Sequence, residues 1–267
     1  MKITIKADTL TLLFIWSLHQ ILFPGLLLCL LVAGCSRDTS KEISHSSDVS
    51  NQVGGRSLRY LALGDSYTIG TNVDSKERWP NQLVELLQED KIDIVEPIII
   101  AGTGWTTDGL LTEINNAELK SPYDLVSVLI GVNNQYQRRD VNEYRLQLRH
   151  ILQLAVKLAG DKPKRVIVLS IPDWGVTPFA LRRGDSDIKR IAQEIDRFNA
   201  VKKAEAKRLD VHYIDITPGT RKAKNQHQLF ASDGLHPSGE MYAQWAKAAF
   251  PVARQSIDSS AFAGSTR

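Results

Sequence analysis

The chain has 267 residues, 43% of them hydrophobic and 24% charged, a balance that excludes a disordered or fibrous protein and supplies one sizeable core. Basic side chains number 33 against 30 acidic ones, a formal net charge of +3. No basic run is interleaved with aromatics, so composition speaks against nucleic acid as a partner.

In chain order the first element is a leader. Lys2 and Lys6 precede an apolar stretch from Leu10 to Ala33, which reads as an export signal over 1–34. About 20 apolar residues would also suffice for a membrane-spanning helix, although His19-Gln20 and Pro24-Gly25 interrupt this one. Val32-Ala33-Gly34-Cys35 resembles the lipobox of bacterial lipoproteins. That resemblance implies cleavage before Cys35, acylation of its thiol, and a lipid-anchored protein of the cell envelope with a membrane as partner. The sequence holds two cysteines, Cys29 and Cys35. Cleavage would leave the folded part without a disulfide or a cysteine-based metal site. The serine-rich segment 35–57 cannot bury enough surface to fold and reads as a tether.

A folded domain is expected over 58–255, with a second disordered tail at 256–267. Within it, Leu58–Asp65, Asp93–Gly102, Tyr123–Asn133, Arg165–Trp174 and Asp210–Thr217 are apolar, Val/Ile/Leu-rich runs closed by turn signals, hence strands. Helical spacing fills the intervals at Trp79–Glu89, Val141–Ala159 and Asp187–Leu209, and a last helix spans Gly239–Ala253. In the second of these, Leu146, Ile151, Leu154 and Leu158 are expected to form the buried stripe. Apolar strands joined by helices predict an α/β fold of three layers, a five-stranded parallel sheet covered on both faces. Ligands of such sheets bind beyond the carboxyl ends of the strands.

The strand ends carry the chemistry. Strand one ends Gly64-Asp65-Ser66, strand two Ala-Gly-Thr-Gly104-Trp, strand three Gly-Val-Asn133-Asn134, and the loop before the last helix reads Asp233-Gly-Leu-His236. Together they offer a hydroxyl nucleophile, a glycine turn with a free N–H, an amide donor, and an Asp-x-x-His pair, the parts needed for acyl transfer. Singly, each block also has a structural reading: Asp65 and Ser66 as a helix start, Asp233-Gly234 as a turn. The sequence contains six histidines. Only His236 has an aspartate three residues before it at a loop-to-helix junction; His150 and His212 fall inside regular elements, and His227 in a polar loop.

These four blocks, in this order, resemble the SGNH hydrolase superfamily, the GDSL esterases and lipases. The resemblance implies a flavodoxin-like α/β/α fold, Ser66, His236 and Asp233 as triad, and Ser66, Gly104 and Asn133 as oxyanion hole. Its substrate class is a carboxylic ester: a lysophospholipid, an arylester or an acylated envelope sugar, hydrolysed without cofactor or metal. Two positions depart from the family pattern: Tyr67 where leucine is usual, read as without chemical role, and Asn134 where aspartate is usual, read as loop geometry. Trp105, Tyr136, Trp174 and Phe179 follow strand ends and are candidates to line an acyl pocket, with loop packing as the other reading. A dinucleotide site is disfavoured because Thr107 stands at the third glycine position of the Gly-x-Gly-x-x-Gly fingerprint. A non-catalytic binding lipoprotein would be expected to have lost part of the triad. A phosphoacceptor built on Asp65 would need acidic neighbours at the first strand.

Overall fold

In the computed structural model, which describes residues 56–262, the five apolar runs form one parallel sheet in the order β2-β1-β3-β4-β5. The strands are β1 (Tyr60–Gly64), β2 (Ile98–Ala101), β3 (Leu125–Leu129), β4 (Val166–Leu169) and β5 (His212–Ile214). The helices are α1 (Ser66–Ile69), α2 (Trp79–Glu89), α3 (Thr107–Asn116), α4 (Val132–Tyr136) and α5 (Val141–Leu158), then α6 (Pro178–Leu181), α7 (Asp185–Arg208), α8 (Thr217–Lys222) and α9 (Gly239–Phe262). Parallel neighbours need crossover connections, and the longer helices supply them. α2 packs on α9, while α3, α5 and α7 pack in succession on the other face. Every residue of β1, β3 and β4 is buried, as a sheet covered on both sides requires. The expected α/β/α architecture is the one observed.

Several boundaries differ from expectation, each for a local reason. The second apolar run is a strand only from Ile98, because Pro97 has no N–H to give to a ladder; before it, Ile94 makes a single bridge with Leu58. The buried stripe of α5 is Tyr144, Leu148, Ile151, Leu152 and Ala155, spaced by three and four, whereas Leu146 is 62% exposed. Leu146 sits two residues from both Tyr144 and Leu148 and so falls on the outer side. The domain also extends past both predicted limits. Arg56 and Ser57 bond to Asp124 and Asp93, and α9 runs on through Ser256 and Ile257, both buried. The leader 1–34, Cys35, the remainder of the predicted tether and the last five residues of the predicted tail lie outside the described residues.

At the edge where the strands begin, Asp124 is almost fully buried. It accepts both Nη groups of Arg56 at 2.6 and 2.8 Å and the N–H of Arg59 at 2.9 Å, with Arg165 Nη1 at 3.4 Å. Burial alone would raise its pKa, but the Arg56 guanidinium, the Arg59 N–H and the nearby charges outweigh it and hold the carboxyl below its usual range. Its contribution to stability is therefore complete above the unfolded carboxylate pKa and is lost as pH falls through the lower folded value. Asp124→Ala is expected to cost about 3 kcal/mol at pH 7, because Arg165 keeps its charge in a buried place. Urea unfolding checks this, and the gap from wild type should narrow below about pH 4.

Candidate active site

The five loops that leave the carboxyl edge of the sheet, or return to it, converge on one cavity of about 240 Å³. Ser66, Tyr67, Thr103, Gly104, Val132, Asn133, Tyr136, Trp174, Leu235 and His236 line it.

β1 delivers the serine. Gly64 is its last residue, and a Cβ there would lie 2.2 Å from Thr68 Oγ1 and 2.5 Å from the Leu129 carbonyl. Only glycine lets the chain turn so tightly against β3. Asp65 then caps α1 by accepting the Tyr67 N–H at 3.1 Å, so the helix-start reading is right for Asp65. Ser66 is the first helical residue and has a different surrounding: it faces the cavity. Neither Ser66 Oγ nor His236 Nε2 has a hydrogen-bond partner among the described residues. Asp65 itself is buried with Oδ2 unpartnered, and burial pushes its carboxyl up to about 7. The charge of Lys202, wholly buried and bonded to the Leu169 carbonyl at 2.9 Å, acts in the opposite sense.

β2 and β3 supply the wall opposite. Gly104 has φ +83°, a left-handed conformation that side chains other than those of Asn and Asp rarely take, and a Cβ there would meet nothing within 4 Å. Its glycine is demanded by the backbone and not by space. The N–H groups of Ser66 and Gly104 have no backbone acceptor among the described residues. Asn133 donates one amide hydrogen to the Trp105 carbonyl at 2.9 Å, which leaves its second hydrogen for the cavity.

Asn134 does more than set loop geometry. It is 1% exposed, accepts the Thr107 N–H at 3.0 Å and donates to Thr107 Oγ1 at 2.8 Å, tying α4 to the start of α3. An amide can both accept and donate here, which an ionised aspartate cannot.

The loop before α9 brings the remaining pair. Asp233 Oδ2 lies 2.5 Å from His236 Nδ1, and Oδ1 accepts the N–H groups of Leu235 and His236 at 2.9 and 3.0 Å. Burial pushes the Asp233 carboxyl up, but donation from the ring and from these two N–H groups prevails and holds it below the usual carboxylate range.

Of the four aromatic candidates, Tyr136 and Trp174 line the cavity, their ring centroids 5.4 Å apart. Trp174 is fixed from behind by Nε1–H donation to Gln135 at 2.8 Å, and Gln135 donates onward to Glu194. Trp105 and Phe179 do not line it. The Trp105 ring folds back over Gly102, where a Cβ would come within 2.3 Å of it, and Phe179 stands behind Trp174 with centroids 6.3 Å apart. Tyr67, read as without a chemical role, is a cavity wall whose ring lies edge-on to His236 at 5.9 Å. Thr103, Val132 and Leu235 also line the cavity, and nothing in their own residue types marks them in the sequence.

A parallel α/β sheet with these four blocks at its carboxyl edge has the layout of the SGNH hydrolases. Residues 62–244 match the model of the GDSL-like lipase/acylhydrolase family, and the chain belongs to that family. Among solved structures, TesA superposes with a TM-score of 0.59 at 17% identity, over 74% of this chain and 99% of its own. The lipase/acylhydrolase from Enterococcus faecalis gives 0.55 at 20% identity, over 74% and 96%. Axe2, an acetylxylan esterase from Geobacillus stearothermophilus, gives 0.58 at 18%, over 74% and 95%. At such identities the likeness speaks for the fold. No curated protein sequence matches the chain.

Asn134→Ala would orphan the buried Thr107 N–H, and a loss of about 1–3 kcal/mol is expected in urea unfolding. An unchanged unfolding midpoint would contradict the tie described here.

Proposed function

We propose that this chain is a serine esterase that hydrolyses carboxylic esters of small acyl groups. The observation that carries the proposal is that His236, paired with Asp233, faces the same cavity as the unbonded Ser66 hydroxyl. Ser66 Oγ attacks the ester carbonyl carbon while His236 Nε2 takes its proton, and Asp233 on Nδ1 orients the ring and stabilises the imidazolium. The negative charge forming on the carbonyl oxygen meets the N–H groups of Ser66 and Gly104 and the second amide hydrogen of Asn133. Each such donor is worth about 3–4 kcal/mol in the transition state. Collapse of the tetrahedral species breaks the bond to the alcohol oxygen, which receives the proton from His236 and leaves an acyl-serine. Water, deprotonated by the same ring, then releases the acid and restores Ser66.

A cavity of about 240 Å³ is smaller than the usual site of a drug-sized ligand, which favours acetyl and other short acyl groups. Axe2, of like fold, is named for an acetyl ester. Small arylesters and acetylated envelope sugars suit these dimensions better than long-chain lysophospholipids. A non-catalytic binding role is disfavoured, since nucleophile, base and acid are all retained.

Fluorophosphonate is expected to label Ser66, and Ser66→Ala or His236→Ala to abolish hydrolysis of p-nitrophenyl acetate. Asn133→Ala is expected to lower kcat by about 10²–10³-fold with little change in KM, because its hydrogen bond matters mainly when the oxygen is charged. A raised KM with kcat spared would make Asn133 a substrate-binding group instead.

We also infer from Val32-Ala33-Gly34-Cys35 that the chain is exported and lipid-anchored at Cys35 in the cell envelope. Several acyl chains hold a protein firmly where one holds it only marginally. Cys35→Ser is therefore expected to move the protein from the detergent phase to the aqueous phase, and equal partitioning would point to an ordinary signal or a spanning helix.

A further inference from the structure

The turn that follows α1 reaches, with two successive residues, one wall of the cavity and the carboxylate behind His236. Thr71 Oγ1 lies 2.7 Å from Thr103 Oγ1, beside Gly104, and Asn72 Nδ2 donates to Asp233 Oδ2 at 2.7 Å. The Asn72 contact joins residues 161 positions apart and falls on the same oxygen that faces His236 Nδ1. With the N–H groups of Leu235 and His236 on Oδ1, every acceptor direction of the Asp233 carboxylate is taken. Its plane is thereby fixed from outside its own loop.

The backbone explains why asparagine stands there. Asn72 has φ 67°, left-handed, a region that Gly, Asn and Asp enter most readily. Of these three only asparagine carries a donor, and aspartate would set a second negative charge against Asp233. Only the NH₂ end can face a carboxylate oxygen at 2.7 Å, because the amide oxygen would be repelled.

We propose that Asn72 is a positioning residue for ester hydrolysis: it holds the Asp233 carboxylate in the plane that presents His236 to Ser66. This inference rests on the Ser-His-Asp reading given above. Asn72 touches no reacting atom and acts only through Asp233. Because the turn also hydrogen-bonds the oxyanion loop, one short segment sets nucleophile, anion-binding wall and acid relative to one another.

Steady-state hydrolysis of p-nitrophenyl acetate tests it, with melting temperatures taken for each variant. The variants are Asn72→Gly, Asn72→Asp, Asp233→Ala and the double Asn72→Gly/Asp233→Ala. Asn72→Gly, which keeps the left-handed backbone, is expected to lower kcat about 10-fold with KM within about twofold. Asn72→Asp, isosteric and equally at ease in this conformation, is expected to lower kcat further. In the Asp233→Ala background, Asn72→Gly is expected to change the residual rate by less than about twofold, the non-additivity of residues that act as a unit. An equal loss in both backgrounds, or wild-type kcat in Asn72→Asp, would overturn the inference while leaving the triad intact. Wild-type activity in Asp233→Ala would overturn the triad itself, and the role of Asn72 with it.

Discussion

Parallel strand pairing is the constraint on which everything else here depends. Because all five strands run the same way, their carboxyl ends share one edge, and the loops that leave them must meet there. Segments far apart in sequence are brought together with no element dedicated to the task. β1 and β3 are hydrogen-bonded neighbours, with Gly64 opposite Leu129, so the serine after one and the amide after the other become two sides of a single cavity. The close approach at Gly64 is the tightest expression of this pairing, since even a methyl group would force α1 off the sheet.

What could be read from the sequence follows from the same constraint. Ser66, Gly104 and Asn133 lie in the segments that follow strands and Asp233 and His236 in the loop before α9, and the residue types of most of them announce a chemistry, so position and functional group together single them out. Tyr67 and Asn72 announce nothing. The first departs from the family pattern at what looks like a packing position, and the second is one polar turn residue among many. Their partners, His236 and Asp233, become visible only once the chain is folded. The aromatic candidates divide for a related reason. A loop position says that a ring is near the active edge but not which way it turns, and Trp105 turns back over Gly102. In α5 only Leu146 departs from the expected stripe: Ile151 is buried and Leu154 and Leu158 pack against the core, whereas Leu146 lies outside the face that carries Tyr144 and Leu148.

Asn133 and Asn134 are adjacent, identical in type, and opposite in use. A short helix sends successive side chains about 100° apart. One amide therefore faces the cavity with a hydrogen to spare, while the next is buried with its donor and acceptor both engaged by Thr107. The second secures the loop on which the first, together with Gly104, depends. Where the family usually has aspartate, this chain has an uncharged group that both accepts and donates, so the neighbourhood of the cavity carries one negative charge fewer.

The clamp between Arg56 and Asp124 has a consequence for reach. It fixes the point where the chain enters the domain at the edge where the strands begin, whereas the cavity opens where they end. The length of β1 alone separates the two by roughly 16 Å. Substrate therefore enters the domain from the side opposite the one at which Arg56 and Asp124 hold the first described residues.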